Sequence, residues 1–132
     1  MNLPDVLDEI FGVLEDVPGL NVPSTPGVLA KMPSPSVELP AVVYGDQGPG
    51  LDRITDLVLM IVFGQPNNAQ VFRSALEYAS TSGARSIRAA LQGHSWSSCS
   101  TFYVRSAEPI VDTFNGHPGL AYAFHIDITG RP

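Results

Sequence analysis

The stretch Asp52-Arg53-Ile54-Thr55-Asp56-Leu57-Val58-Leu59-Met60-Ile61-Val62-Phe63-Gly64 decides the fold. It contains the longest apolar run of the chain, with no proline and no glycine before its last residue. A helical reading competes. The run is short, however, and β-branched at Ile54, Thr55, Val58, Ile61 and Val62. Gly64-Gln65-Pro66 closes it with turn chemistry. It therefore reads as a central β-strand. Every residue from Leu57 to Phe63 is apolar, so both faces of the second half should be covered. Polar residues between Arg53 and Asp56 leave the first half to solvent or to a partner.

Upstream, Ala41-Val42-Val43-Tyr44-Gly45 reads as a second strand. The loop Asp46-Gln47-Gly48-Pro49-Gly50 joins it to the central strand as a hairpin. The passage from Pro23 to Pro40 is rich in Pro, Ser and Gly, which excludes helix and central strand. Val28, Leu29, Met32, Val37 and Leu39 give it more apolar handholds than a plain linker needs, so it reads as an extended interaction arm. Leu20-Asn21-Val22 before it reads as a short strand. The chain opens with an amphipathic helix from about Pro4 to Asp16, with Asn2 as N-cap and Pro18-Gly19 as its stop. Val6, Leu7, Ile10, Phe11, Val13, Leu14 and Val17 form its apolar face.

Downstream, Asn67 or Asn68 caps a second helix with the stripe Val71, Phe72, Ala75, Leu76 and Ala79. A short third helix covers Ala84 to Leu91 and ends at Gly93. His94 to Ser100 is a polar loop, and Thr101 to Arg105 a strand. Ile110-Val111 extends the pairing, and Asn115 to Gly119 is turn-forming. The last strand, Leu120 to Ile128, alternates cleanly: Leu120, Tyr122, Phe124, Ile126 and Ile128 on one face, Ala121, Ala123, His125 and Asp127 on the other. The sum is an α+β domain spanning 1–132. It has a mostly antiparallel sheet of four to five strands, with the N-terminal helix and a central helix pair on one face.

At 132 residues the chain makes one hydrophobic core. The formal charge of −6 and the scattered Arg and Lys disfavour sequence-specific binding of nucleic acid. A single cysteine, Cys99, fits a reducing compartment. The apolar run 57–63 is far shorter than the roughly 20 residues of a membrane span, and no secretory signal is visible.

Candidate chemistry is sparse. His94, His117 and His125 fall in different elements with no local ligand pair, so no metal is expected; His125 and Asp127 alone share a strand face. Cys99 beside His94 suggests a nucleophile pair, but nothing in the sequence activates the thiol. The nucleophile-elbow and phosphate-loop patterns are missing. No catalytic residue and no cofactor are expected. Trp96 reads as a lid on its own core or as an interface anchor.

The order of elements and turn residues resembles the small tail terminator proteins of long-tailed bacteriophages, especially those of actinobacteria. The residues carrying the likeness are Val17-Pro18-Gly19-Leu20-Asn21-Val22, Leu39-Pro40-Ala41-Val42-Val43, Leu51-Asp52-Arg53 and Val62-Phe63-Gly64. Tyr78 to Gly83, Ser86 to Leu91 and the aromatic strand Ala121 to Ile128 complete it. The resemblance implies a hexameric ring in the virion, assembled in the host cytoplasm. Such a ring caps the head-proximal end of the tail tube, stops its polymerisation and offers the joining surface to the head–neck connector. Its partners would be further copies of itself, the tail tube protein and the connector, with genomic DNA passing through unread. Other readings are a different neck component (a connector or stopper) and a small ligand-binding or enzymatic domain. The residues singled out for subunit or partner contact are Leu29, Met32, Asp46, Asp52, Arg53, Asp56 and Trp96.

Overall fold

A computed structural model describes residues 1–22, 35–38, 40–44, 52–66, 68–114 and 117–130. Helix α1 spans Leu3–Glu15, and the Asn2 side chain accepts from the Asp5 amide, as expected of an N-cap. Val6, Ile10, Phe11 and Leu14 are its buried stripe. Strands β1 (Ser36–Val37) and β2 (Ala41–Tyr44) follow, then β3 (Arg53–Gly64), the expected central strand. Helices α2 (Ala69–Ala79) and α3 (Ile87–Gln92) come next, capped by Asn68 and Ser86. The chain closes with β4 (Thr101–Phe114) and β5 (His117–Thr129).

The sheet is antiparallel, in the order β1-β3-β5-β4, with β2 also paired to β3. β1 and β2 lie one after the other along the same edge of β3: Ser36 opposes Val62, and Ala41 opposes Val58. Pro40 stands between them, at an edge where its missing N–H is tolerated. Asn21 makes an isolated parallel bridge to Ser36, where a short strand was expected over 20–22.

The helices cover one face. Their buried residues join Ile54, Leu57, Leu59, Ile61, Phe63, Phe102, Val104, Leu120, Phe124, Ile126 and Ile128 in a single core. The α1–sheet junction is tightened at Gly19, whose φ of 77° few other residues adopt. Beside it the Tyr78 hydroxyl donates to Pro18 O at 2.6 Å.

Four expectations change. In α2 the buried residues are Ala75 and Tyr78, while Phe72 and Leu76, assigned to the inward stripe, are 43% and 56% exposed. Val71 and Ala75 of the expected stripe do face inward, joined by Tyr78, which its hydroxyl anchors to Pro18 O. Helix α3 starts at Ile87 rather than Ala84, since Ser86 caps it through the Ala89 amide. β4 and β5 are longer than Thr101–Arg105 and Leu120–Ile128, because pairing continues to Phe114 opposite His117. Pairing of β3 with β5 stops at Gly64 opposite Leu120, so Asp112–Phe114 and His117–Gly119 run on as a two-stranded ribbon. Finally, on the helix-free face of β3 Val58 and Met60 are only half-buried, so its second half is not fully covered on both sides.

Candidate interaction surface

The helix-free sheet face gathers the charged residues of three strands. Its layout follows from two register slips. Between Ile54 and Leu57 two residues of β3, Thr55 and Asp56, oppose one residue of β5. Between Val104 and Ser106 the extra residue on β4 is Arg105. β2 slips at the same level, between Val43 and Tyr44. A bulge re-aims side chains and shifts the alternation by one residue. Ile54 and Leu57 therefore both reach the core although they are three apart, and Asp56 and Arg105 are delivered to the open face.

There they meet β5. Arg53 donates through Nε and Nη2 to Asp127 Oδ1 and Oδ2 at 3.1 and 2.6 Å, a two-pronged pair. Arg105 lies 3.1 Å from Asp56 Oδ1. His125 Nδ1 is 2.9 Å from Asp56 Oδ1, and its Nε2 is 2.9 Å from Glu108 Oε1. Hydrogen bonding to Arg53 pulls the Asp127 carboxyl below the usual carboxylate range against the opposing effect of burial, and the charges of Arg53 and Arg105 add to it. Beside this network Val43 and Tyr103 are 53% and 51% exposed. Val58, opposite both Ala41 and His125, continues the apolar part of the surface.

The residues expected to make contacts fare unequally. Arg53 and Asp56 are brought together on this face, each held by an internal partner. Asp52 is half-exposed and pairs with the α-amino group of Met1. Trp96 is half-buried. Its ring stacks on Phe102 with centroids 3.9 Å apart and planes 10° from parallel, and its Nε1 donates to Leu91 O. It packs over its own core, because the loop after α3 turns it back onto β4. Leu29, Met32 and Asp46 lie outside the described residues.

A second polar cluster joins α1 to that loop. The Glu9 carboxylate accepts from the Ser97 and Ser98 amides, from the Ser98 hydroxyl at 2.6 Å, and faces His94 Nε2 at 2.7 Å. Burial alone would push the Glu9 carboxyl up; the Ser98 hydroxyl, the two amides and His94 outweigh it and bring it down to about 2. An open pocket of about 580 Å³ lies alongside, lined by Asp5, Asp8, Glu9, Gly12, Val13, His94, Ser97 and Ser98. The Glu9 carboxylate is engaged by the loop, and the arrangement fastens that loop to α1.

Among the described residues no three His, Cys, Asp or Glu side chains are placed to hold a metal ion. Cys99 is buried and forms no disulfide. Among the described residues no helix is long and apolar enough to cross a membrane.

Sequence reasoning missed the parts played by Arg105, Glu108 and Glu9. For Arg105 a signal exists: Val104 and Ala107 are three apart where strict alternation requires two, as are Ile54 and Leu57. For Glu9 none does, because its partners are almost ninety residues away. Compared with models of known protein families the chain matches none, and compared with curated proteins it likewise has no match.

Proposed function

We propose that this chain is a structural protein that assembles into a ring, of the tail-terminator kind its sequence resembles. Such a ring caps the head-proximal end of a phage tail tube, halts tube growth and receives the connector above. The observation that carries this reading is the exposure of large apolar side chains both on α2 and on the open sheet face, where Val43 on β2 and Tyr103 on β4 flank the charged residues of β3 and β5. Phe72 and Leu76 lie on the outer arc of α2, and Val43 and Tyr103 lie on the open sheet face. Ring closure requires a heterologous contact, in which one face of a subunit meets a different face of the next. Aromatic and aliphatic anchors inside a polar rim are the usual make-up of such contacts. On the open sheet face the polar part is the set of ion pairs lying between Val43 and Tyr103. The internal use of Glu9, His94 and His125 supports a structural rather than a catalytic role.

The test is to add the purified chain to polymerising tail tube protein, with electron microscopy of the products and light scattering of the chain alone. Rings seated on one end of tubes of limited length are expected. Tubes that grow unchecked and carry no ring would overturn the terminator reading. Rings that leave tube length unchanged would assign the chain to another part of the neck.

A further inference from the structure

We propose that His125 is a proton-operated clasp joining β3 to β4 across β5, and that its charge state tunes the contact surface of the open sheet face. The geometry carries the first half. Both ring nitrogens lie 2.9 Å from carboxylate oxygens, Nδ1 from Asp56 on β3 and Nε2 from Glu108 on β4. A carboxylate only accepts, so both nitrogens must carry hydrogen, and the ring in this arrangement is an imidazolium.

The neighbours decide what deprotonation releases. From β3, Asp56 faces the ring, with Arg53 farther along the strand and turned to Asp127. From β4, Glu108 faces it and Arg105 stands beside Asp56. From the β1 edge, Glu38 enters the same sheet through its amide bond to Met60 O. Asp56 keeps Arg105 when the ring loses its proton. Glu108, 60% exposed, has only His125 as a charged partner among the described residues, so Glu108 is the side chain set free. With the ring charged, Arg53, Arg105 and His125 balance Asp56, Asp127 and Glu108. Without that charge each copy presents one unmatched carboxylate, which disfavours burial against a neighbour. This second half rests on the ring reading; the clasp itself does not.

Hydrogen bonding to Glu108 raises the His125 pKa above the ordinary imidazole value, against burial and with help from Asp56. A raised folded-state pKa contributes stability that is complete below the ordinary value of about 6.5 and is lost as pH rises through the folded value.

The experiment follows the His125 ring by NMR across pH in the intact chain and in Glu108→Gln, a change at an exposed position. A wild-type midpoint above that of an unfolded-chain histidine, moved down in Glu108→Gln, is expected. A midpoint at or below about 6.5, or one unmoved by Glu108→Gln, overturns the clasp. Ring assembly is measured by light scattering and microscopy on either side of the midpoint. Weakening with rising pH, up to about tenfold per pH unit per contact and reduced in Glu108→Gln, is expected. Rings insensitive to pH despite a shifted midpoint overturn the tuning and leave the ring reading intact. A shifted midpoint with no rings at any pH, even on tubes, overturns the ring reading and the tuning with it, and leaves the clasp standing.

Discussion

Glu9 and Ser98 are 89 residues apart, yet the Ser98 amide and hydroxyl both donate to the same Glu9 oxygen, at 2.9 and 2.6 Å. One carboxylate thereby fastens the loop after α3 to helix α1. Glu9→Gln keeps the shape but turns an NH2 group toward donors. A loss of about 1–3 kcal/mol in unfolding free energy is expected. The pH dependence has a fixed sign. The folded-state carboxyl is lowered to about 2 from 4.5, so its contribution is present above about 4.5 and lost as pH falls toward 2. Denaturant melts of wild type and variant should therefore converge as pH drops through that window. A gap that stays constant down to pH 2 would show that Glu9 acts through packing alone.

Leu59 is fully buried on β3 opposite Phe124, in the middle of the core. Leu59→Asp places an unpaired charge there, which no neighbour can compensate. The expected outcome is an unfolded or insoluble chain, read by circular dichroism. Leu59→Ala should fold but lose about 2–5 kcal/mol. A folded, soluble Leu59→Asp protein would contradict the placement of this strand.

Arg53 and Asp127 tie β3 to β5 at the level where β3 slips register. Arg53 is partly exposed, so solvent screening limits the value of the pair. A double-mutant cycle with Arg53→Ala and Asp127→Ala should give a coupling of about 1 kcal/mol or less. Because Arg53 lowers the Asp127 carboxyl, that coupling is present above the ordinary carboxylate range and disappears as pH falls through the lowered value. Coupling that survives at pH 2 would mean the two side chains communicate by packing.

The β3 assignment was legible because its cues were local: an unbroken apolar run rich in β-branched residues, a closing Gly64 and a hairpin partner over 41–44. Alternation in β5 was equally plain, and Leu120, Phe124, Ile126 and Ile128 are buried on one face; Tyr122 beside them is only partly buried, and Ala121 and Ala123 on the other face are buried too. The open face was harder. Two charged residues on β3 and one on β4 meet only because each strand carries one extra residue, and a one-residue slip is written in the sequence merely as a spacing of three. The α2 stripe was right at Val71 and Ala75 but took in Phe72 and Leu76 and left out Tyr78, because a phenolic side chain reads as less apolar than Phe or Leu. What anchors Tyr78 is a hydrogen bond to Pro18 O, sixty residues away, which no local pattern reports.

That misreading yields the most direct test of assembly. Phe72 and Leu76 sit one turn apart on α2, where a solvent-facing apolar pair contributes little to the monomer. Replacing both with Ser should change the unfolding midpoint only slightly, within about 0.5 kcal/mol per site. In an interface the same two side chains would be anchors, each costing more than about 1 kcal/mol when removed. The expected phenotype is thus a folded chain that no longer forms rings or caps tubes, seen as an intact melting curve with loss of the assembled species in light scattering. If the double variant assembles as well as wild type, α2 is not the contacting helix and the ring must close through other surfaces. If it unfolds instead, Phe72 and Leu76 belong to the monomer's core, and their exposure in the isolated subunit would need another account.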